Sequence, residues 1–197
     1  MVYYYKEPIQ NILESIKKLN TSKFIISIDG LGGSGKSTFA KELHEHIPNS
    51  FIVHMDDFYK PKESRKEFSS ITEIGGYFDW KRVEQQVLMP FNENRVIKYQ
   101  RYNWQNDILD DWLVIPKSSN IIVEGVYSGR KELSKYYDLK IWIDCPHEVR
   151  LKRGVERDGQ QIKEYWQNVW MKQEKEYYDK HKPFLSADFR MSSNSNL

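Results

Sequence analysis

The chain has 197 residues, 39% of them hydrophobic and 29% charged, a composition typical of a globular protein with a substantial core. The formal net charge of +2 gives no reason to expect a nucleic-acid or membrane partner. The one cysteine, Cys145, excludes an intrachain disulfide, and no apolar run approaches the roughly 20 residues of a membrane span. The first seven residues lack the charged-then-apolar layout of a signal peptide, so we expect a cytoplasmic protein.

Apolar spacing and turn residues predict the elements of the first half of the chain. In chain order they are a helix over 8–19, a strand over 24–28, a helix from 39 to about 46, a strand over 51–55, a long polar loop over 60–76 and a short helix over 81–91. Pro48 limits the second helix, because proline has no N–H to continue it.

The second half begins with an alternating pattern that predicts a β-hairpin. The expected elements are strands over 96–102 and 112–115 with a turn region over 106–111, a strand over 121–123, a helix over 130–137, a strand over 139–143, helices over 147–180 with a break near 159, and a last strand over 187–191. The Ser/Asn-rich tail from Ser192 is expected to fray.

The order of these elements predicts an α/β fold. Strands that alternate with helices indicate a three-layer α/β/α arrangement, with a mostly parallel central sheet covered by helices on both faces. We expect a single domain over 1–197. The hairpin, at about 95–115, is predicted as a small insertion.

One nine-residue segment carries the strongest functional signal. Residues 30–38 match the phosphate-binding pattern G-x-x-x-x-G-K-[ST] between the first predicted strand and a helix. Backbone N–H groups in such a loop bind phosphate oxygens, aided by the helix N-terminus. The residues predicted to bind the nucleotide are Gly30, Gly32, Gly33, Ser34, Gly35, Lys36, Ser37 and Thr38. Lys36 is expected to neutralise the β- and γ-phosphates, and the Ser37 hydroxyl to ligate Mg²⁺.

Acidic residues follow two of the predicted strands. Asp56 and Asp57 close the second strand, and Glu124 closes the strand over 121–123. Ligands of open α/β sheets bind beyond the carboxyl ends of the strands, so these side chains are candidates to face the triphosphate. Asp56 is predicted to be a base or metal ligand, with Glu124 as a further metal contact. Asp57 is expected to cap or support, and a solvated turn remains the alternative for the pair.

Three arginines recur on one side of the predicted helix after residue 147. Arg150, Arg153 and Arg157 have i, i+3, i+7 spacing, and the planar guanidinium group suits phosphate. We expect a phosphate-covering lid at about 150–160. The alternative is a solvated helix face with salt bridges.

Four separated motifs resemble the uridine/cytidine kinases and related P-loop nucleoside kinases, including nicotinamide riboside kinase. They lie at residues 30–38, 54–61 (HMDDFYKP), 77–80 (YFDW) and 123–125 (VEG). The segments at 150–158 and 182–188 match the family's lid and C-terminal end, so the resemblance spans about 23–190. It implies a P-loop kinase fold with a helical lid.

The resemblance also implies roles for individual residues. Asp56 takes the place of the catalytic base for a 5′-hydroxyl, and Asp79 that of the carboxylate which binds the ribose hydroxyls. The expected metal contacts are Ser37, Asp56 and Glu124; the catalytic cations are Lys36, Arg153 and Arg157; the nucleoside pocket is lined by Tyr59, Phe78, Tyr102 and Trp104. The hairpin departs from the family, since Tyr102-Asn103-Trp104 is only the nearest match to its Tyr-Asp-Phe element and no histidine lies in the hairpin. Asp79 has an alternative role as a cap of the next helix.

The implied activity is phosphorylation of the 5′-hydroxyl of a small-molecule nucleoside, uridine or cytidine first, with ATP or GTP as donor and Mg²⁺ as cofactor. A kinase for nicotinamide riboside, pantothenate or a sugar phosphate remains open, as does a regulatory P-loop ATPase. The chain has no N/T-K-x-D guanine motif, which argues against a GTPase. No nucleic-acid or membrane partner is expected, and a homo-oligomer is left open.

Overall fold

The computed structural model describes residues 6–65 and 73–193, so residues 66–72 of the predicted loop and 194–197 of the predicted tail lie outside the described part. The helices are α1 Lys6–Lys18, α2 Lys36–Glu45, α3 Trp80–Val83, α4 Met89–Asn92, α5 His147–Asp158, α6 Lys163–Tyr165 and α7 Met171–His181. π-Helical turns at Glu84–Leu88 and Trp166–Trp170 join α3 to α4 and α6 to α7. The strands are β1 Ile25–Asp29, β2 Ser50–His54, β3 Ile97–Asn103, β4 Ile108–Ile115, β5 Asn120–Glu124, β6 Leu139–Asp144 and β7 Phe189–Ser192.

The central sheet has the order β2-β5-β1-β6-β7, and every pairing in it is parallel. This confirms the predicted α/β class. β1 lies in the middle of the sheet and is buried along its whole length, which explains its uninterrupted apolar run. All five strands therefore direct their carboxyl ends to one edge, where the phosphate-binding loop follows β1.

A separate core covers each face of the sheet, because successive strand residues point to opposite sides. Ile26, Ile28 and Ile122 pack under the helices α1 and α2. Ile121 and Val123 point the other way, into a core shared with α3, α4, the hairpin and α7. The two cores confirm the three-layer arrangement.

β3 and β4 form the predicted hairpin as a separate two-stranded antiparallel sheet. The expected turn region at 106–111 was wrong, since β4 already begins at Ile108. The Asn103 side chain accepts hydrogen bonds from the backbone N–H groups of Gln105 and Asn106, and Asp107 adopts a left-handed φ of 54°. These contacts close the connection within four residues.

The predicted helix over 130–137 was also wrong. The segment turns by i→i+3 hydrogen bonds, such as Leu133 N–H to the Arg130 carbonyl, and only Ser134–Tyr136 forms a 3₁₀ turn. Arg130, Leu133 and Tyr137 are all buried. The spacing of these buried residues resembles one face of a helix, but here they lie in a compact turn that leads the chain into β6.

Candidate active site

The phosphate-binding loop leaves β1 at Gly30 and enters α2 at Lys36. Gly33 has a φ of 77°, and a Cβ there would lie 2.6 Å from the backbone oxygen of Arg150, so both conformation and space require glycine. The Lys36 ammonium group donates to the Leu31 carbonyl at 3.0 Å, across the loop. The loop is therefore folded back on itself, with its lysine inside the curve.

Strand register brings a hydroxyl, a carboxylate and an imidazole together beside the loop. β5 lies between β1 and β2, and the last residue of β2, His54, is aligned with Glu124 of β5. The Ser37 hydroxyl lies 3.2 Å from both Glu124 carboxylate oxygens, and His54 Nδ1 lies 2.5 Å from Glu124 Oε1. The hydrogen bond to Glu124 raises the pKa of His54. Sequence analysis gave His54 no role, although its place at a strand end beside Asp56 was the available signal.

Asp56 lies in the 3₁₀ turn Met55–Phe58 that follows β2. Its carboxyl group is accessible from the cleft but has protein on its other sides. Burial and the charge of Glu124 raise the pKa of Asp56, whereas the charges of Lys36 and Arg157 lower it. The neighbouring Asp57 points elsewhere and accepts a hydrogen bond from the Tyr99 hydroxyl at 3.2 Å. Of the two adjacent carboxylates, only Asp56 lines the cleft.

The three lid arginines have different surroundings, although all lie on α5. Arg150 is buried in an ion pair with Glu174, 3.0 Å from Nη1 to Oε2, and also donates to the Gly32 carbonyl. Arg153 donates to the Gly33 carbonyl at 3.3 Å and to the Ser193 hydroxyl at 3.1 Å. Arg157 is exposed and pairs with Asp158 at 2.7 Å. Arg153 and Arg157 line the cleft, whereas Arg150 fixes the loop to α7 through Glu174.

One cleft of about 730 Å³ joins the loop to a group of aromatic rings. Tyr59, Phe78 and Trp104, which sequence analysis assigned to a nucleoside pocket, line this cleft. Tyr127, Trp166 and Trp170 line it as well, and sequence analysis missed them. Trp166 and Trp170 occupy the π-helical turn after α6, a feature that local spacing does not reveal. Tyr102 packs behind Tyr59, at 5.3 Å between ring centroids, and is not among the residues that line the cleft.

Asp79 is the N-cap of α3. Its Oδ1 accepts a hydrogen bond from the backbone N–H of Arg82 at 3.2 Å, and it is not among the lining residues. Phe78, its neighbour, does line the cleft and forms an isolated bridge with Tyr59. The structure thus shows a cap at Asp79, and the ribose contact stays a prediction.

The side chains beside the phosphate-binding loop include oxygen ligands of the kind that Mg²⁺ needs. Residues 6–65 and 73–193 contain no cluster of three or more His, Cys, Asp or Glu side chains arranged to hold a metal. Mg²⁺ in P-loop enzymes is held by the loop hydroxyl, one or two carboxylates and the phosphates themselves. Ser37 and Glu124 are hydrogen-bonded to each other and fit that set of ligands. Asp56 is close enough for the charge of Glu124 to raise its pKa.

Comparisons with known proteins agree with this geometry. Residues 25–181 match the family described as "Phosphoribulokinase / Uridine kinase family". The uridine kinase of Ureaplasma parvum serovar 3 is 32% identical over 149 residues, which cover 71% of this chain and 72% of that protein. The uridine kinase of Borrelia hermsii is 33% identical over 138 residues, covering 68% and 66%.

A solved structure described as a possible uridine kinase from Bacillus stearothermophilus has a TM-score of 0.74 at 21% identity, covering 96% of this chain and all of that one. A second solved structure, described as a "putative fructose transport system kinase" from Silicibacter sp. TM1040, has a TM-score of 0.67 at 17% identity, covering 96% of this chain and 99% of that one. At these identities the likeness shows the fold. Within the described ranges, no helix is long and apolar enough to cross a membrane. The family match and the identities together show that the chain belongs to the phosphoribulokinase/uridine kinase family of P-loop kinases.

Proposed function

We propose that this kinase transfers the γ-phosphoryl group of ATP to the 5′-hydroxyl of a ribonucleoside, with uridine or cytidine as the expected acceptor. The observation that carries the proposal is that one cleft is lined by Lys36 and Ser37 of the phosphate-binding loop, by a group of aromatic rings and by Asp56. A triphosphate held by the loop and a nucleoside among the rings would meet near that carboxylate.

The chemistry follows from the surroundings of each group. Asp56 is proposed to accept the proton of the attacking hydroxyl, and its raised pKa makes it a stronger base than an ordinary aspartate. Mg²⁺ supplies charge neutralisation of the phosphates when bound. Lys36 holds the β- and γ-phosphates, and Arg153 and Arg157 compensate the charge that spreads over the transferred group.

The decisive experiment measures ADP release from ATP with uridine, with 5′-deoxyuridine and without a nucleoside. We expect turnover to rise strongly with uridine and not with 5′-deoxyuridine, which keeps the base and the ribose diol but lacks the acceptor oxygen. Turnover that ignores the nucleoside would instead identify a regulatory ATPase. Turnover with nicotinamide riboside or pantothenate alone would reassign the acceptor.

Adjacent carboxylates offer a matched pair of variants. Asp56→Asn is expected to lower kcat by about 10²–10⁴-fold, the usual effect of removing a general base. Asp57→Asn is expected to keep kcat, because its side chain accepts from Tyr99 and an amide oxygen can do the same. A kcat in Asp56→Asn within about threefold of wild type would contradict the proposed base, given that magnitude.

A further inference from the structure

The side chains that line the cleft are mainly aromatic or charged, and they include few neutral groups able to read the edge of a base. Six aromatic residues line it: Tyr59, Phe78, Trp104, Tyr127, Trp166 and Trp170. Within residues 6–65 and 73–193, no asparagine, glutamine or histidine lines the cleft. Those are the neutral side chains whose paired donors and acceptors distinguish one base edge from another.

The rings form one packed group around Tyr59, which is only 4% exposed. Its ring centroid lies 4.7 Å from that of Trp104 and 5.1 Å from that of Phe78, which in turn lies 5.2 Å from Tyr127. Trp104, at the end of the hairpin, remains 53% exposed. The site thus presents a fixed aromatic floor and one accessible indole ring.

Three of the polar atoms near the rings already have partners inside the protein. The Tyr59 hydroxyl is hydrogen-bonded to Trp170. The Trp166 indole N–H donates to Asp158 at 2.9 Å, and the Tyr102 hydroxyl donates to Asp107 at 2.7 Å. A base edge that bound to these three atoms would have to replace their existing hydrogen bonds, whereas a base face that packs on ring carbons replaces none.

We infer that this kinase selects its acceptor by the planarity of the base, through stacking on the rings around Tyr59 and Trp104, and not by the hydrogen-bonding pattern of the base edge. The inference rests on the proposed nucleoside acceptor and extends the expected acceptors from uridine and cytidine to ribosides of other planar aromatic rings. Stacking tolerates different bases, because every base has a π face. The acceptor range should therefore be broad among flat rings and exclude puckered ones.

Two uridine analogues separate planarity from edge pattern. 5,6-Dihydrouridine keeps the carbonyl and N–H edge of uridine but has a puckered ring. The riboside of 2-pyrimidinone is planar but lacks the 4-oxygen and the N3 proton. The measurement is Kd from thermal shift in the presence of a non-hydrolysable ATP analogue, so the result does not depend on turnover.

We expect dihydrouridine to bind about 5- to 150-fold more weakly than uridine, the factor that one base–aromatic stack supplies. The 2-pyrimidinone riboside is expected to bind within about threefold of uridine, because its π face is retained. The opposite order would overturn the inference and show edge recognition. Binding in the expected order without phosphorylation would support stacking and reject the proposed reaction, and binding of none of the three would overturn both.

The hairpin offers a matched pair of tryptophans to locate the stack. Trp104 and Trp112 are 53% and 51% exposed, so neither replacement should unfold the protein. Of the two, only Trp104 lines the cleft. Trp104→Ala is expected to weaken uridine binding by about 5- to 150-fold and to reduce the gap between uridine and dihydrouridine. Trp112→Ala should leave both affinities unchanged. An unchanged gap in Trp104→Ala would exclude Trp104 from the stack.

Discussion

Replacing Arg150 tests whether this arginine supports the fold, unlike its neighbours on the same helix. The side chains of Arg150 and Glu174 are 7% and 6% exposed, and Arg150→Met leaves Glu174 as a buried carboxylate without its cation. Burial already raises the pKa of Glu174, and Arg150 opposes that rise. Breaking a buried pair on one side costs about 3–5 kcal/mol. For a chain of this size that loss lowers Tm by roughly 6–20 °C, at about 2–4 °C per kcal/mol.

The assay is urea unfolding followed by tryptophan fluorescence, with two controls. Arg157→Ala, which removes an exposed pair, is expected to cost about 0–1 kcal/mol. The double variant Arg150→Met/Glu174→Gln should recover most of the loss, because neutral replacement of a buried pair is often close to neutral. If Arg150→Met costs no more than Arg157→Ala, the buried pair is not a structural support. If the double variant loses as much unfolding free energy as Arg150→Met and Glu174→Gln lose together, the two charges do not stabilise each other.

Three further predictions concern stability and binding. The pKa of Asp29 is raised from 3.8 to about 6, chiefly by burial, so its folded form holds a proton more tightly than the unfolded chain. The contribution of Asp29 to the free energy of unfolding is therefore largest below about pH 4 and falls by about 3 kcal/mol as the pH rises to about 6. Asp29→Asn should flatten the profile of stability against pH in that window. An unchanged slope in the variant would contradict the assignment. Asp79→Ala should cost about 0.5–2 kcal/mol through the lost cap; we also expect it to lose the preference for uridine over 2′-deoxyuridine, and a retained preference would leave Asp79 as a cap alone. Lys36→Ala should lower both ATP affinity and turnover with the fold kept, as judged by titration with an ATP analogue and by circular dichroism; unchanged turnover would rule out the phosphate-loop role.

Much of the fold could be predicted because its signals are local. The buried run of β1, the glycines after it and the carboxylates that end β2 and β5 all act within a few residues of their place in the sequence. Parallel strands share one edge for their carboxyl ends, so the general location of Asp56 and Glu124 followed from that rule. The rule does not say which strands are neighbours, and the contact of His54 with Glu124 depends on that order.

The features that sequence analysis missed depend on distant partners. Helical spacing placed Arg150 with Arg153 and Arg157, but it could not show that Glu174, on another helix, draws Arg150 into the interior. Asp29 ends β1 as an apparently ordinary strand-end carboxylate, yet it accepts a hydrogen bond from Tyr177 in α7. Burial of a charged group is decided by what packs over it, and a periodic pattern on one element does not contain that information.

The strand order has a consequence for the growing chain on the ribosome. Within residues 6–65 and 73–193, β1 pairs with β5 and β6 alone and β2 with β5 alone, so neither early strand has a partner in the described sheet until the chain beyond the hairpin has been synthesised. The first strand pairing open to the nascent protein is β3 with β4, outside the central sheet. The apolar β1 therefore stays unpaired during this part of synthesis. Its contacts with β5 and β6 join residues that are distant in sequence, and such contacts form slowly. Emergence of Asn120–Glu124 is then the event that joins both early strands and first brings Glu124 to Ser37.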